Sequence, residues 1–163
     1  MIKVPASRIG FIIGENGKVK EELQQSFGAN LKITKDGTVE IAGEEGLNIY
    51  KLKNAVEGIA RGLSLETVLN LCDDNYTLDI IHLPEILGKN ENAVKRYKSR
   101  IIGSDGKIKK QIEKKTGTDI AVHGKTVAII GKYDNVANAR STVLMILEGN
   151  DFNAVFKHLD RLK

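Results

Sequence analysis

Apolar residues recur at every second position at Ile2 and Val4, and again at Leu78 and Ile80, a spacing that predicts short strands. After each strand a short helix is predicted to stop at a Gly-x-x-Gly, GENG at residues 14–17 and GSDG at residues 103–106. Beyond that break, Val19, Leu23 and Phe27, and likewise Ile108, Ile112 and Thr116, recur at four-residue spacing, as one face of a helix requires. Gly28 and Gly117 follow, where a helix end favours a residue with positive φ. LKI and TVEIA in the first half, IAV and TVAII in the second, alternate as strand pairs around turns at Asp36-Gly37 and Gly124. A longer helix comes next, with Leu52, Ala55, Val56 and Ile59 on one face. A further helix opens at Ser64 or Asp151, both good N-caps. The order is strand, helix, helix, strand, strand, helix, plus one appended helix.

That order occurs twice. Sliding the chain on itself by roughly 88 positions lays IIGENGKVK on IIGSDGKIK, Gly28 on Gly117, and TVEIAG on TVAIIG. Leu65, Val68, Leu69 and Cys72 repeat the spacing of Phe152, Val155, Phe156 and Leu159. So long a period excludes a solenoid and predicts two tandem α+β domains, residues 1–75 and 76–163, parted near the polar Asp73-Asp74-Asn75.

Composition narrows the class. No apolar run approaches the ~18 residues needed to span a bilayer, and MIKVPASR has no signal-peptide layout. The single cysteine, Cys72, allows no internal disulfide and fits a reducing cytoplasm. Its register with Leu159 predicts a buried small hydrophobe.

Charge separates the two halves. The 163-residue chain carries a net +4, but residues 1–75 sum to −2 and residues 76–163 to +6. Residues 95–115 hold nine basic side chains, among them Arg96, Lys98, Arg100, Lys107, Lys109 and Lys110, against only Asp105 and Glu113. The matching residues 8–28 are balanced, three against three. The glycines break one helix into two, so the second begins with unpaired N–H groups and the positive end of its dipole. Without Cβ atoms at Gly103 and Gly106, a sugar-phosphate backbone can approach closely. Nucleotide-binding motifs fail: a P-loop needs glycine where Ile101 stands and Ser or Thr where Ile108 stands.

I-I-G-x-x-G-K between two helices, with F-G or T-G closing the second, resembles the eukaryotic-type (type I) KH domain: a three-stranded antiparallel sheet packed by three helices. The resemblance implies that Gly103, Ser104, Asp105 and Gly106 clamp the backbone of about four unpaired nucleotides, with Lys107, Lys109 and Lys110 close by. It places bases over Ile101, Ile102, Ile120 and Val122, and in the first copy over Ile12, Ile13, Leu31 and Ile33. About half of these eight are expected in the core, since a small domain needs its aliphatics inside. The first clamp, Gly14, Glu15, Asn16, Gly17 and Lys18, is the weaker, because no lysine excess offsets Glu15. RIIGSDGKIKKQIEKKTGTDIAVHGKTVAIIG, the helix ending LMILEGN, and LPEILGKNENAVKRYKSR resemble the Partner of Nob family of ribosome-assembly proteins, in its short archaeal form. That family implies binding near the 3′ end of small-subunit ribosomal RNA and partnership with the endonuclease that trims it.

Other classes compete: a general KH adaptor for messenger RNA or single-stranded DNA, or a protein-interaction scaffold. The basic second half speaks against the scaffold. His82, His123 and His158 have no metal-ligand spacing, and no nucleophile–base or paired-carboxylate arrangement stands out. No enzyme activity, metal or cofactor is expected.

Overall fold

The computed structural model describes residues 2–162. The chain divides into two compact units, one ending at Tyr76 and the other beginning at Thr77. In the first unit, β1 (Ile2–Lys3) and α1 (Ala6–Ile13) precede the GENG turn and α2 (Lys18–Phe27). Then come β2 (Asn30–Ile33), β3 (Thr38–Ala42), α3 (Gly46–Ala60) and the short α4 (Leu65–Leu69). β4 (Tyr76–His82) starts at the boundary and leads with α5 (Leu83–Leu87) and α6 (Glu91–Ile102) to GSDG and α7 (Lys107–Thr116) in the second unit. β5 (Asp119–His123), β6 (Thr126–Lys132), α8 (Tyr133–Leu147) and α9 (Phe152–Arg161) complete it. Each sheet runs with its last strand in the middle, β1–β3–β2 and β4–β6–β5. β2 and β3 are antiparallel with Leu31 opposite Ile41, and β5 and β6 are antiparallel with Ile120 opposite Ile129.

The predicted helix faces form the cores. Leu52, Ala55, Val56 and Ile59 are buried in the first unit, as are Ile12, Leu23 and Leu31, and the second gathers Ile101, Ile112, Ile120, Val127, Ile129, Val143 and Ile146 into one core. Ser64 and Asp151 cap their helices, accepting from the N–H groups of Thr67 and Ala154 at 3.2 and 2.8 Å. One polar side chain in each unit closes the space between second helix and sheet. Gln24 Oε1 accepts from Leu31 N–H at 2.8 Å, and Glu113 Oε2 accepts from Ile120 N–H at 2.9 Å.

Two expectations are corrected. LPEILGKNENAVKRYKSR forms two helices, because Gly88 takes φ +77° and Asn90 then caps α6, its side chain accepting from Asn92 and Ala93 N–H. Cys72 is exposed, although Leu159, at the same place in the repeat, is buried. After Leu69 the chain tightens into a 3₁₀ turn that buries Leu71 instead, and Cys72 Sγ lies 3.5 Å from the carbonyl oxygen of Ser26.

The Gly-x-x-Gly turns have nearly the same backbone in both units. Gly14 and Gly103 share φ near +72° and +74°, and a Cβ on either would lie 2.3 or 2.4 Å from Val19 or Ile108. Gly17 and Gly106 are also left-handed, but a Cβ there meets open space or only the tip of Lys110. Gly14→Ala and Gly103→Ala are expected to destabilise by about 1–3 kcal/mol each, through strain and collision. Gly106→Asn, which tolerates the left-handed region, should stay within ~1 kcal/mol. Urea unfolding midpoints of the three variants check this ordering.

Candidate nucleic-acid interface

The site is built on α6, whose side chains project in three directions at ~100° per residue. Val94 and Ile101 point inward and are buried. Lys95, Lys98 and Ile102 fall on a second face. Arg96, Ser99 and Arg100 fall on a third, roughly 120° around the helix from the second.

The second face forms a groove with the β5–β6 turn. Glu91, Val94, Lys95 and Lys98 line one side and Gly124 and Lys125 the other, enclosing about 280 Å³ of mostly apolar space. Ile102 and Val122 are half-buried, whereas Ile101 and Ile120 are 0% and 3% exposed and belong to the core. Ile101 and Ile120 are thus the second unit's share of the half expected in the core. Two consecutive isoleucines on a helix cannot both face inward, and Val94, seven residues earlier, fixes Ile101 as the inner one. The first unit divides identically: Ile12 and Leu31 are buried, Ile13 and Ile33 half-buried.

Of the expected loop residues, Ser104, Asp105, Lys107 and Lys110 are exposed at the start of α7. Asp105 has φ +54° and Asn16, its counterpart, +55°. Asp and Asn are the side chains best tolerated there after glycine, which accounts for a carboxylate in a basic neighbourhood. Glu15 has no such reason, since Ser104 occupies its place in the second unit.

Not every predicted cation is free. Lys109 Nζ pairs with Glu113 Oε1 at 3.1 Å, one turn along α7, so it is held against the carboxylate that caps β5. Arg100 turns away from the groove. Its guanidinium donates to the carbonyls of Ile146 and Asn150 at 3.4 and 2.9 Å, at the C-terminal end of α8, where the dipole favours a cation. In the first unit Phe11 occupies the position of Arg100, and Arg8 that of Tyr97. Arg8 Nε donates to Ile59 carbonyl at 3.0 Å, the place corresponding to Ile146, while its guanidinium sits 4.0 Å from the Phe11 ring centre. The arginine has moved by one helical turn and caps the same carbonyl.

Lys95 and Lys125 complete the groove, although neither was singled out by sequence. Lys95 counted only as charge, and Lys125 stands alone in a turn that becomes part of the site only when the hairpin folds back beside α6. The first unit has Ala6 and Ile9 where Lys95 and Lys98 stand. Its turn carries Asp36, whose carboxylate accepts from Thr34 and Thr38, so its pKa lies below the usual range and its charge persists into mild acid. Among the described residues no group of three or more His, Cys, Asp or Glu side chains could hold a metal ion. No helix there is long and apolar enough to cross a membrane.

A Gly-x-x-Gly turn between two helices, set beside an antiparallel sheet with its last strand central, defines a KH module, and the chain carries two. Residues 77–163 match the eukaryotic-type (type I) KH domain in its PNO1 second-domain form, and residues 1–58 match the general KH domain. The chain is 36% identical to a KH domain-containing protein of Methanocaldococcus jannaschii, covering 99% of this chain and 72% of that one. Dim2p from Pyrococcus horikoshii superimposes with a TM-score of 0.92 at 32% identity, over 98% of this chain and 96% of that one. A chain of the a/eIF2alpha–aDim2p–rRNA complex from the same organism matches with a TM-score of 0.92 and 32% identity, over 98% and 90% of the two chains. The chain belongs to the tandem KH family of Dim2p and PNO1.

The groove cations and the capping arginine should separate in stability measurements. Arg100→Ala is expected to cost about 1–2 kcal/mol, having lost two charge-assisted hydrogen bonds of a half-buried group. Lys98→Ala and Lys110→Ala should change stability by less than ~0.5 kcal/mol. Chemical denaturation of the three variants reads the difference.

Proposed function

We propose that the protein binds unpaired RNA through the second unit and acts in small-subunit ribosome assembly in the cytoplasm. The observation that carries this reading is a single helix, α6, that ends in the Gly-x-x-Gly turn and along its length borders an apolar groove rimmed by Lys95, Lys98 and Lys125. Phosphates would run along Gly103 to Gly106 beside Lys107 and Lys110. Bases would turn onto Ile102 and Val122. Duplex bases are not free to enter such a groove, and about four nucleotides fill it. In the first unit Ala6 and Ile9 replace Lys95 and Lys98, Glu15 replaces Ser104 and Asp36 adds a carboxylate beside Lys35, so its contribution to affinity is the smaller one.

The target is the unpaired 3′ region of small-subunit ribosomal RNA. Support comes from the Pyrococcus relative, whose complex contains rRNA and a/eIF2alpha. A maturation endonuclease acting at that end is the expected partner, on family resemblance. The chain itself supplies positioning and no catalysis.

Lys107→Glu with Lys110→Glu should weaken binding of all single-stranded sequences. It should also flatten the log–log salt slope by about 0.7 per lost phosphate contact. Lys18→Glu, the match of Lys107 in the first unit, should cost less. Asp105→Asn keeps the turn conformation and removes a negative charge, so affinity at low salt should rise about two- to fivefold. Fluorescence anisotropy across a salt series measures all of these, and equal losses from Lys18 and Lys107 changes would remove the proposed inequality of the units.

Sequence preference is read by competition. A labelled RNA ending in the mature 3′ sequence should be displaced by its unlabelled copy but poorly by shuffled or base-paired versions at physiological salt. Equal displacement by the shuffled strand, with or without partner proteins, would leave a general single-strand adaptor.

A further inference from the structure

The third face of α6 borders a recess that the groove does not use. Arg96, Ser99 and Arg100 form one wall, Gly103, Ser104 and Lys107 a second, and Phe152 of α9 closes it over Ile108, enclosing about 690 Å³. We propose that this recess seats a nucleobase of the same RNA strand, next to those in the groove, stacked on Phe152 with its phosphate between Arg96 and Lys107. The proposal rests on the RNA-binding reading of the second unit.

Four observations favour a base. The recess is continuous with the clamp, sharing Gly103, Ser104 and Lys107, so a strand leaving the turn reaches it without a gap. Its lining holds three cations and no carboxylate, which suits a phosphate. Its aromatic wall is rigid: Phe152 stacks on Phe156 with ring centres 6.3 Å apart, and the Arg100 guanidinium lies 5.0 Å from the Phe152 centre. Because Arg100 is tied to the carbonyls at the end of α8, that wall is set before any ligand arrives. A ring with a fixed guanidinium beside it is a stacking platform for any base.

The appended helix thereby acquires a role. In the first unit Leu65 stands where Phe152 does, Ser7 where Arg96 does and Glu15 where Ser104 does, so the ring and cation are lost and a negative charge gained.

The test compares two unpaired RNAs on the full chain by anisotropy: a tetranucleotide that fills the groove, and the same RNA extended by a short run at either its 5′ or its 3′ end. Extension at one end only should raise affinity about tenfold, within the range of one base–aromatic stack. In Phe152→Leu, which keeps apolar packing but removes the ring, the ratio of long to short affinities should fall toward one. Arg96→Gln, a change at an exposed side chain, should lower the same ratio and keeps the test valid should Phe152→Leu fold poorly. 2-Aminopurine in the extension should be quenched by the unaltered protein and not by Phe152→Leu. No gain from either extension, or a gain retained in both variants, overturns the site; so does an extension gain without quenching, which would indicate phosphate contact alone. Failure of the tetranucleotide itself to bind, or its indifference to the Lys107/Lys110 double change, defeats the RNA-binding reading instead, so the two failures are distinguishable.

Discussion

A glycine packed against a β-branched residue five positions on is the contact from which each unit is laid out. Gly103 leaves just enough room for Ile108, as Gly14 does for Val19, and a Cβ in either place would overlap the partner's side chain and come within 2.9 Å of its backbone nitrogen. The two helices of each unit can meet this closely only because one of them has no side chain at the crossing. Their approach aims α6 so that its inner face carries Val94 and Ile101 into the core. The loop glycines therefore have separate physical duties: the first makes the corner, and the second leaves the corner open to solvent.

Once α6 is held at that angle, the distribution of charge follows from helical geometry. Nine basic residues in a stretch of 21 read as one patch in sequence, but they are shared among a groove, a recess, a helix cap and two ion pairs. Lys109 is neutralised within its own helix, and Arg100 is spent on the end of α8. The cations left facing the groove are fewer than the count suggests, and one of them, Lys125, comes from outside the run.

Much of this was legible in the chain. The repeat, helix faces and N-caps follow from periodicity and local chemistry and recur in the structure, as does the element order apart from the extra break at Gly88. The phase of Ile101 and Ile102 could also have been settled by counting back to Val94. What could not be read depends on partners distant in sequence: the carbonyl of Ile146 that claims Arg100 lies 46 residues away. Cys72 escaped for a different reason. A 3₁₀ turn rotates side chains by a different angle from an α-helix, so a spacing shared with Leu159 ceased to mean a shared environment.

The displaced arginine has a consequence for exchanging parts between the units. Arg8 and Arg100 reach equivalent carbonyls from positions one turn apart, each with an aromatic residue at the position the other vacates. Capping requires only that a guanidinium arrive at the carbonyl, so two separate solutions satisfy the same backbone. Each solution is a coupled pair of residues. A chimera that takes Tyr97 without Arg100 would leave the helix end uncapped, and one that keeps Arg8 while gaining Arg100 would crowd two cations onto one carbonyl. Segments swapped between the halves must therefore carry both positions together, and a residue-by-residue alignment of the repeats would cut through the unit that has to move.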